Sequence, residues 1–170
     1  MEEYLDQVRE AAKTPLYFLS LGAALTIPDM CAGMESADGQ SKQALYRAWV
    51  DRHLAPRYTA GPGHTPSFSG EDCYGLRCDF LHQGYLQPHK GVYKRIIFIE
   101  PHKGLRLHNN VINDALNIDV TTFVNDMVDV AESWLAAART SPNFIANYPK
   151  FMQRHEAGLP PYIGGIPVIA

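Results

Sequence analysis

The run from Leu16 to Ile27 is the longest apolar stretch in the chain, and its borders decide what it can become. Thr14-Pro15 precedes it, a capping residue followed by the one residue type pre-set for a first helical turn. Pro28-Asp29 closes it, well short of the roughly 20 apolar residues that cross a bilayer. The run therefore reads as a helix of a soluble protein, kinked at Pro28 and continued over residues 29–34.

Other helical segments accompany it. Residues 2–13 carry Tyr4, Leu5, Val8 and Ala11-Ala12 on one face. Ser41 is placed to cap a helix over 42–54, where Ala44, Leu45, Trp49 and His53 recur at helical intervals. Ser69-Gly70-Glu71-Asp72 resembles a capping box, and the helix it opens runs through Tyr74, Leu76, Phe80 and Leu81 to a stop at Gly84. Asp119, Thr121 and Thr122 are placed to cap a long amphipathic helix ending near Arg139, with Val120, Phe123, Val124, Met127, Val130, Trp134 and Leu135 as its apolar stripe. Ser141-Pro142 opens a last helix reaching about His155.

Between these, residues 55–68 hold three prolines and two glycines and read as a surface loop. Residues 92–100 are β-branched and aromatic, 101–104 are turn chemistry, and 105–111 can return as a partner strand. The expected fold is mainly α, a helical bundle with a β-hairpin inserted at about residues 92–111. One domain would cover 1–158, and a Pro/Gly-rich tail 159–170.

Composition narrows the class further. With 46% hydrophobic residues in 170, a core can form without disulfides or metal, and a formal net charge of −3 excludes a generally basic coat. Three cysteines, Cys31, Cys73 and Cys78, form an odd set behind an acidic start, and their spacing fits no common zinc pattern. A cytoplasmic protein is expected, with no metal, no cofactor and no membrane partner.

Chemistry concentrates in the helix after Ser69, where Arg77 and His82 are separated by four residues and the helix stops just after the histidine. A histidine with a pKa near ~6.5 can move a proton at neutral pH, and a guanidinium holds phosphate oxygens in a fork. Asp79 flanks His82 and could fix its tautomer. On an ideal helix five residues turn about 500°, leaving the two side chains ~140° apart, so they meet only through the long arginine stem, a loosened helix end or a partner protomer. The plainer alternatives are a histidine favouring the helix macrodipole and an arginine paired with Glu71 or Asp72.

The Arg-x4-His pair, the leucine before the arginine, the apolar pair before the histidine and the glycine after it resemble the HEPN superfamily (higher eukaryotes and prokaryotes nucleotide-binding domains). The resemblance implies a small helical bundle that dimerises and cuts RNA without metal, often as a toxin or phage-defence effector. Arg77 and His82 would be catalytic, with Asp79 in support. Some toxin members carry a tyrosine two residues after the histidine that a partner nucleotidyltransferase modifies; here Tyr85 stands three after. An antitoxin or such a transferase is then a candidate partner. Residues 86–110 hold Lys90, Lys94, Arg95, Lys103 and Arg106 against one acid, Glu100, a basic segment suited to an RNA backbone. The alternative within the same architecture is a non-catalytic module that binds a nucleotide or a protein.

Overall fold

In the computed structural model, which describes residues 1–59, 67–84 and 92–170, the chain is mainly helical. The described residues form six α-helices: α1 (Glu2–Ala12), α2 (Tyr17–Glu35), α3 (Gln43–His53), α4 (Gly70–Gln83), α5 (Val120–Ala138) and the short α6 (Pro142–Asn147). A three-stranded sheet, β1 (Arg95–Ile99), β2 (Asn110–Ile112) and β3 (Ala115–Asp119), lies between α4 and α5 in the chain.

Helix α2 is the centre of the bundle. It buries Leu21, Gly22, Ala24, Leu25, Ile27, Pro28, Cys31 and Ala32, which together cover most of its circumference, and it packs against α1, α3, α4, α5 and α6. A helix apolar on nearly every side must be enclosed. It continues through Pro28 to Glu35, so its 19 residues do reach the length and composition of a membrane span, with most of its apolar window buried by its neighbours. Around it, α1 contributes Leu5, Val8 and Ala12, and α3 contributes Tyr46, Trp49 and Val50, both at the three- and four-residue spacing of one helix face. Helix α5 turns its long stripe inward, and Trp134 packs edge-on against Trp49.

The local signals that bound α4 act as the sequence predicts. The Ser69 hydroxyl accepts from the Asp72 backbone N–H, and the Asp72 carboxylate accepts from the Ser69 N–H. Gly84 ends the helix at φ 68°, a left-handed conformation that costs a glycine nothing. Where α4 starts, an added Cβ on Gly70 would sit 2.3 Å from the Arg47 carbonyl oxygen, so the absence of a side chain lets α3 and α4 approach. Ser69→Ala is expected to lower stability by about 1 kcal/mol, read as a lower urea midpoint with an unchanged slope.

Three sequence expectations are corrected. The inserted β element is not a hairpin of 92–100 with 105–111. Strand β3 lies in the middle of the sheet, parallel to β1 (Ile97 opposite Asn117) and antiparallel to β2 (Val111 opposite Leu116). The tight turn is Asn113-Asp114, both at positive φ (50° and 61°), the conformation that two-residue hairpins require and that Asn and Asp tolerate. Ser41 does not cap α3; the helix begins after Lys42 without a side-chain cap, and the Ser41 hydroxyl is bonded elsewhere. The last helix ends at Asn147, and Tyr148–Lys150 is a single 3₁₀ turn, because Pro149 cannot donate to the next helical bond. The remaining chain folds back in two small ladders, Arg154–His155 with Val168–Ile169 and Gly158–Leu159 with Ile163–Gly164.

Candidate active site at the end of helix α4

Arg77 and His82 meet. Arg77 Nη1 lies 2.9 Å from His82 Nε2, although helical geometry starts the two side chains on different faces. The arginine stem supplies the reach, and His82 sits in the last turn before the left-handed Gly84. A guanidinium has only donors and keeps its charge, so Arg77 donates and His82 Nε2 accepts.

A carboxylate from another element holds the arginine. Arg77 Nε donates to Asp29 Oδ2 at 2.8 Å, and Ser41 Oγ donates to Asp29 Oδ1 at 3.0 Å. Helix α2, the α2–α3 link and α4 thus supply a chain running Ser41, Asp29, Arg77, His82. The Arg77 and Asp29 side chains are 23% and 25% exposed and His82 is open to solvent, so the group is half-sheltered at its base and open at its tip. Burial works against the Arg77 charge, yet the hydrogen bond and attraction of Asp29 outweigh it and the pKa is raised. The arginine's acidic partner is therefore Asp29, not Glu71 or Asp72. Glu71 is engaged by Arg47, whose guanidinium also lies 5.4 Å from the centre of the Tyr74 ring.

The cysteines of this helix differ. Cys73 is fully buried against the Tyr46 hydroxyl, and burial pushes its thiol up to about 12, which leaves it unreactive. Cys78 is half-buried beside the arginine. Asp79 is half-buried, and no hydrogen bond joins it to His82 among the described residues. No group of three or more His, Cys, Asp or Glu side chains there could hold a metal ion.

The basic residues separate by position. Lys94 is paired with Asp114 at 2.7 Å. Arg106 Nη2 donates to Thr122 Oγ1 at 3.2 Å near the start of α5, and Lys103 stands exposed in the turn after β1. Arg95 lies on β1 and lines a groove that reaches Gly84 at the end of α4. Tyr85 and Lys90 lie outside the described residues. Sequence reasoning missed Asp29 and Ser41; the available signal was a lone carboxylate embedded in an apolar helix.

Compared with known proteins, the chain matches no family model, no curated protein and no solved structure. The functional reading therefore rests on these side chains and their surroundings.

Proposed function

We propose that this protein is an endoribonuclease of the HEPN type, a homodimer that cleaves RNA by attack of a ribose 2′-hydroxyl on the adjacent phosphorus. The observation that carries the reading is the 2.9 Å contact between Arg77 and His82 at the open end of α4, with Asp29 behind it.

The chemistry follows from those groups. A phosphodiester entering the site competes for the Arg77 Nη1 donor now directed at His82. When a phosphate oxygen takes that bond, the Nε2 lone pair is released to accept the 2′-hydroxyl proton. The O2′–P bond forms, the P–O5′ bond breaks, and O5′ leaves with a proton from an acid. The products are a 2′,3′-cyclic phosphate and a 5′-hydroxyl end. Extra negative charge on the phosphoryl oxygens is met by the guanidinium fork, which Asp29 fixes through Nε while Nη1 reaches toward the exposed His82. None of these steps draws on a metal. One histidine cannot serve at once as base and acid, so the second proton carrier is His82 of the partner subunit.

The test is purified protein incubated with total RNA in excess chelator. Breakdown to 2′,3′-cyclic phosphate ends supports the nuclease; intact RNA with a folded dimer moves the assignment to a non-catalytic binding module. Asp29→Asn keeps the shape of the arginine's support but removes its charge. It is expected to lower kcat about tenfold with little change in KM and a modest fall in the thermal midpoint, because the half-buried arginine loses its counter-charge and is misplaced in the transition state rather than lost from binding.

A further inference from the structure

Strand β1 lies at the edge of its sheet, with β3 on one side and no described strand on the other. Its sequence, Arg95-Ile96-Ile97-Phe98-Ile99, is rich in the residue types that pair best in sheets, and no proline or glycine interrupts it. A bare apolar edge of this kind is a template for another strand. The opposite edge, β2, is only three residues long. Beside β1 runs a groove of about 530 Å³, walled by Tyr17, Leu21 and Phe80 and bordered by Ile96 and Phe98 of the strand. On the strand's other face Ile97 is exposed. Charge divides along the same segment. Lys94 and Arg95 stand at its start, and Glu100 follows its end, exposed and with no ion-pair partner among the described residues.

We propose that β1 pairs antiparallel with the β1 of a second copy of this chain, about a two-fold axis at Ile97, so that the two sheets join into one. The proposal stands apart from the nuclease reading and holds whether or not RNA is cut. The occupant is a second copy because the strand is complementary to itself. With Ile97 at the axis, Ile97 opposes the partner's Ile97, Ile96 opposes the partner's Phe98, and Lys94 opposes the partner's Glu100. Lys94 already holds Asp114 of its own chain at 2.7 Å, and its ammonium then lies between two carboxylates. Arg95 opposes the partner's Ile99 and covers it with its apolar stem. Neighbouring registers lose this match. Centring on Phe98 sets Ile96 against Glu100, and centring on Ile96 sets Lys94 against Phe98. In the favoured register the partner's Ile96 and Phe98 border the groove from its far side, which takes apolar surface out of water.

The experiment is sedimentation equilibrium of the full-length protein, with far-UV circular dichroism to establish that each variant is folded. The unmodified protein is expected to sediment at twice the chain mass. Glu100→Lys opposes like charges at both ends of the paired strands and should weaken the dimer about tenfold. Adding Lys94→Glu to it inverts each pair instead of opposing it, and should return the affinity to within about threefold of the unmodified protein. The exposed Lys94–Asp114 pair lost in that variant contributes little to folding. Ile97→Cys sets two thiols across the axis, where opposed Cα atoms stand roughly 4.5–5.5 Å apart, within reach of a disulfide. Mild oxidation should then give a covalent dimer on a non-reducing gel that the unmodified chain does not give. A monomer at every concentration overturns the proposal, as does a dimer that Ile97→Cys fails to cross-link or that Glu100→Lys leaves unchanged. A double substitution no tighter than Glu100→Lys alone overturns the register. Cyclic phosphate ends from RNA in chelator test the nuclease reading separately, and a dimer that forms through another face leaves that reading intact.

Discussion

His82→Ala is expected to lower RNA cleavage by about 10²- to 10⁴-fold while the thermal midpoint moves little. The rate effect is that of removing a proton carrier from the transition state. The small stability effect follows from position: His82 is exposed in the last turn of α4, and its one hydrogen bond among the described residues is to Arg77, which keeps Asp29. This separation makes the histidine a cleaner probe than the arginine. Arg77→Ala would leave the half-buried Asp29 carboxylate without its cation, so a loss of activity there would mix chemistry with folding. Arg77→Lys keeps the charge but gives up the planar fork, and a single ammonium cannot hold Asp29, His82 and a phosphate in fixed directions. It should fold and cleave poorly. Residual cleavage at the unmodified rate in His82→Ala would place the chemistry elsewhere.

The limits of α4 were legible because they depend on neighbours in the chain. Ser69, Asp72 and Gly84 act within one helical turn of where they stand, and each does what its side chain dictates. The contact between Arg77 and His82 was legible only as a spacing, since ideal helix geometry separates them and a flexible stem closes the gap. Asp29 was not legible as the arginine's partner: it lies 48 residues away, and only the packing of α2 on α4 joins them. The sheet was misread for a related reason. Strand β3, Ala115-Leu116-Asn117-Ile118-Asp119, alternates like a half-exposed strand, yet every residue is buried. Asn117 bonds backbone carbonyls and Asp119 is consumed as the cap of α5, so polar residues mark satisfied hydrogen bonds there rather than a solvent face. The turn at Asn113-Asp114 was visible in composition but lost to the stronger glycine and proline signal at 101–104.

Phe123→Ala is expected to cost about 3–5 kcal/mol, the largest loss of stability among the substitutions considered. Phe123 is fully buried at the junction where three parts of the chain meet. Its ring packs edge-on against Phe98 of β1 at 5.1 Å and against Phe68, just ahead of α4, at 5.7 Å between centroids. Phe68 in turn lies against Tyr58 at 5.4 Å. Truncation removes both ring contacts and leaves a cavity that β1, tied on one side only to β3, cannot close without losing register. Against a typical total of 5–15 kcal/mol, that loss should lower the urea midpoint by about 2 M. Phe18→Ala is the built-in contrast, the same chemical change at a ring 77% exposed, and it should stay within about 0.5 kcal/mol. Phe123 would then carry the attachment of β1 to α5, and through Phe68 the placement of α4 that brings Arg77 to Asp29. A Phe123→Ala protein as stable as the unmodified chain would mean that β1 does not pack on α5.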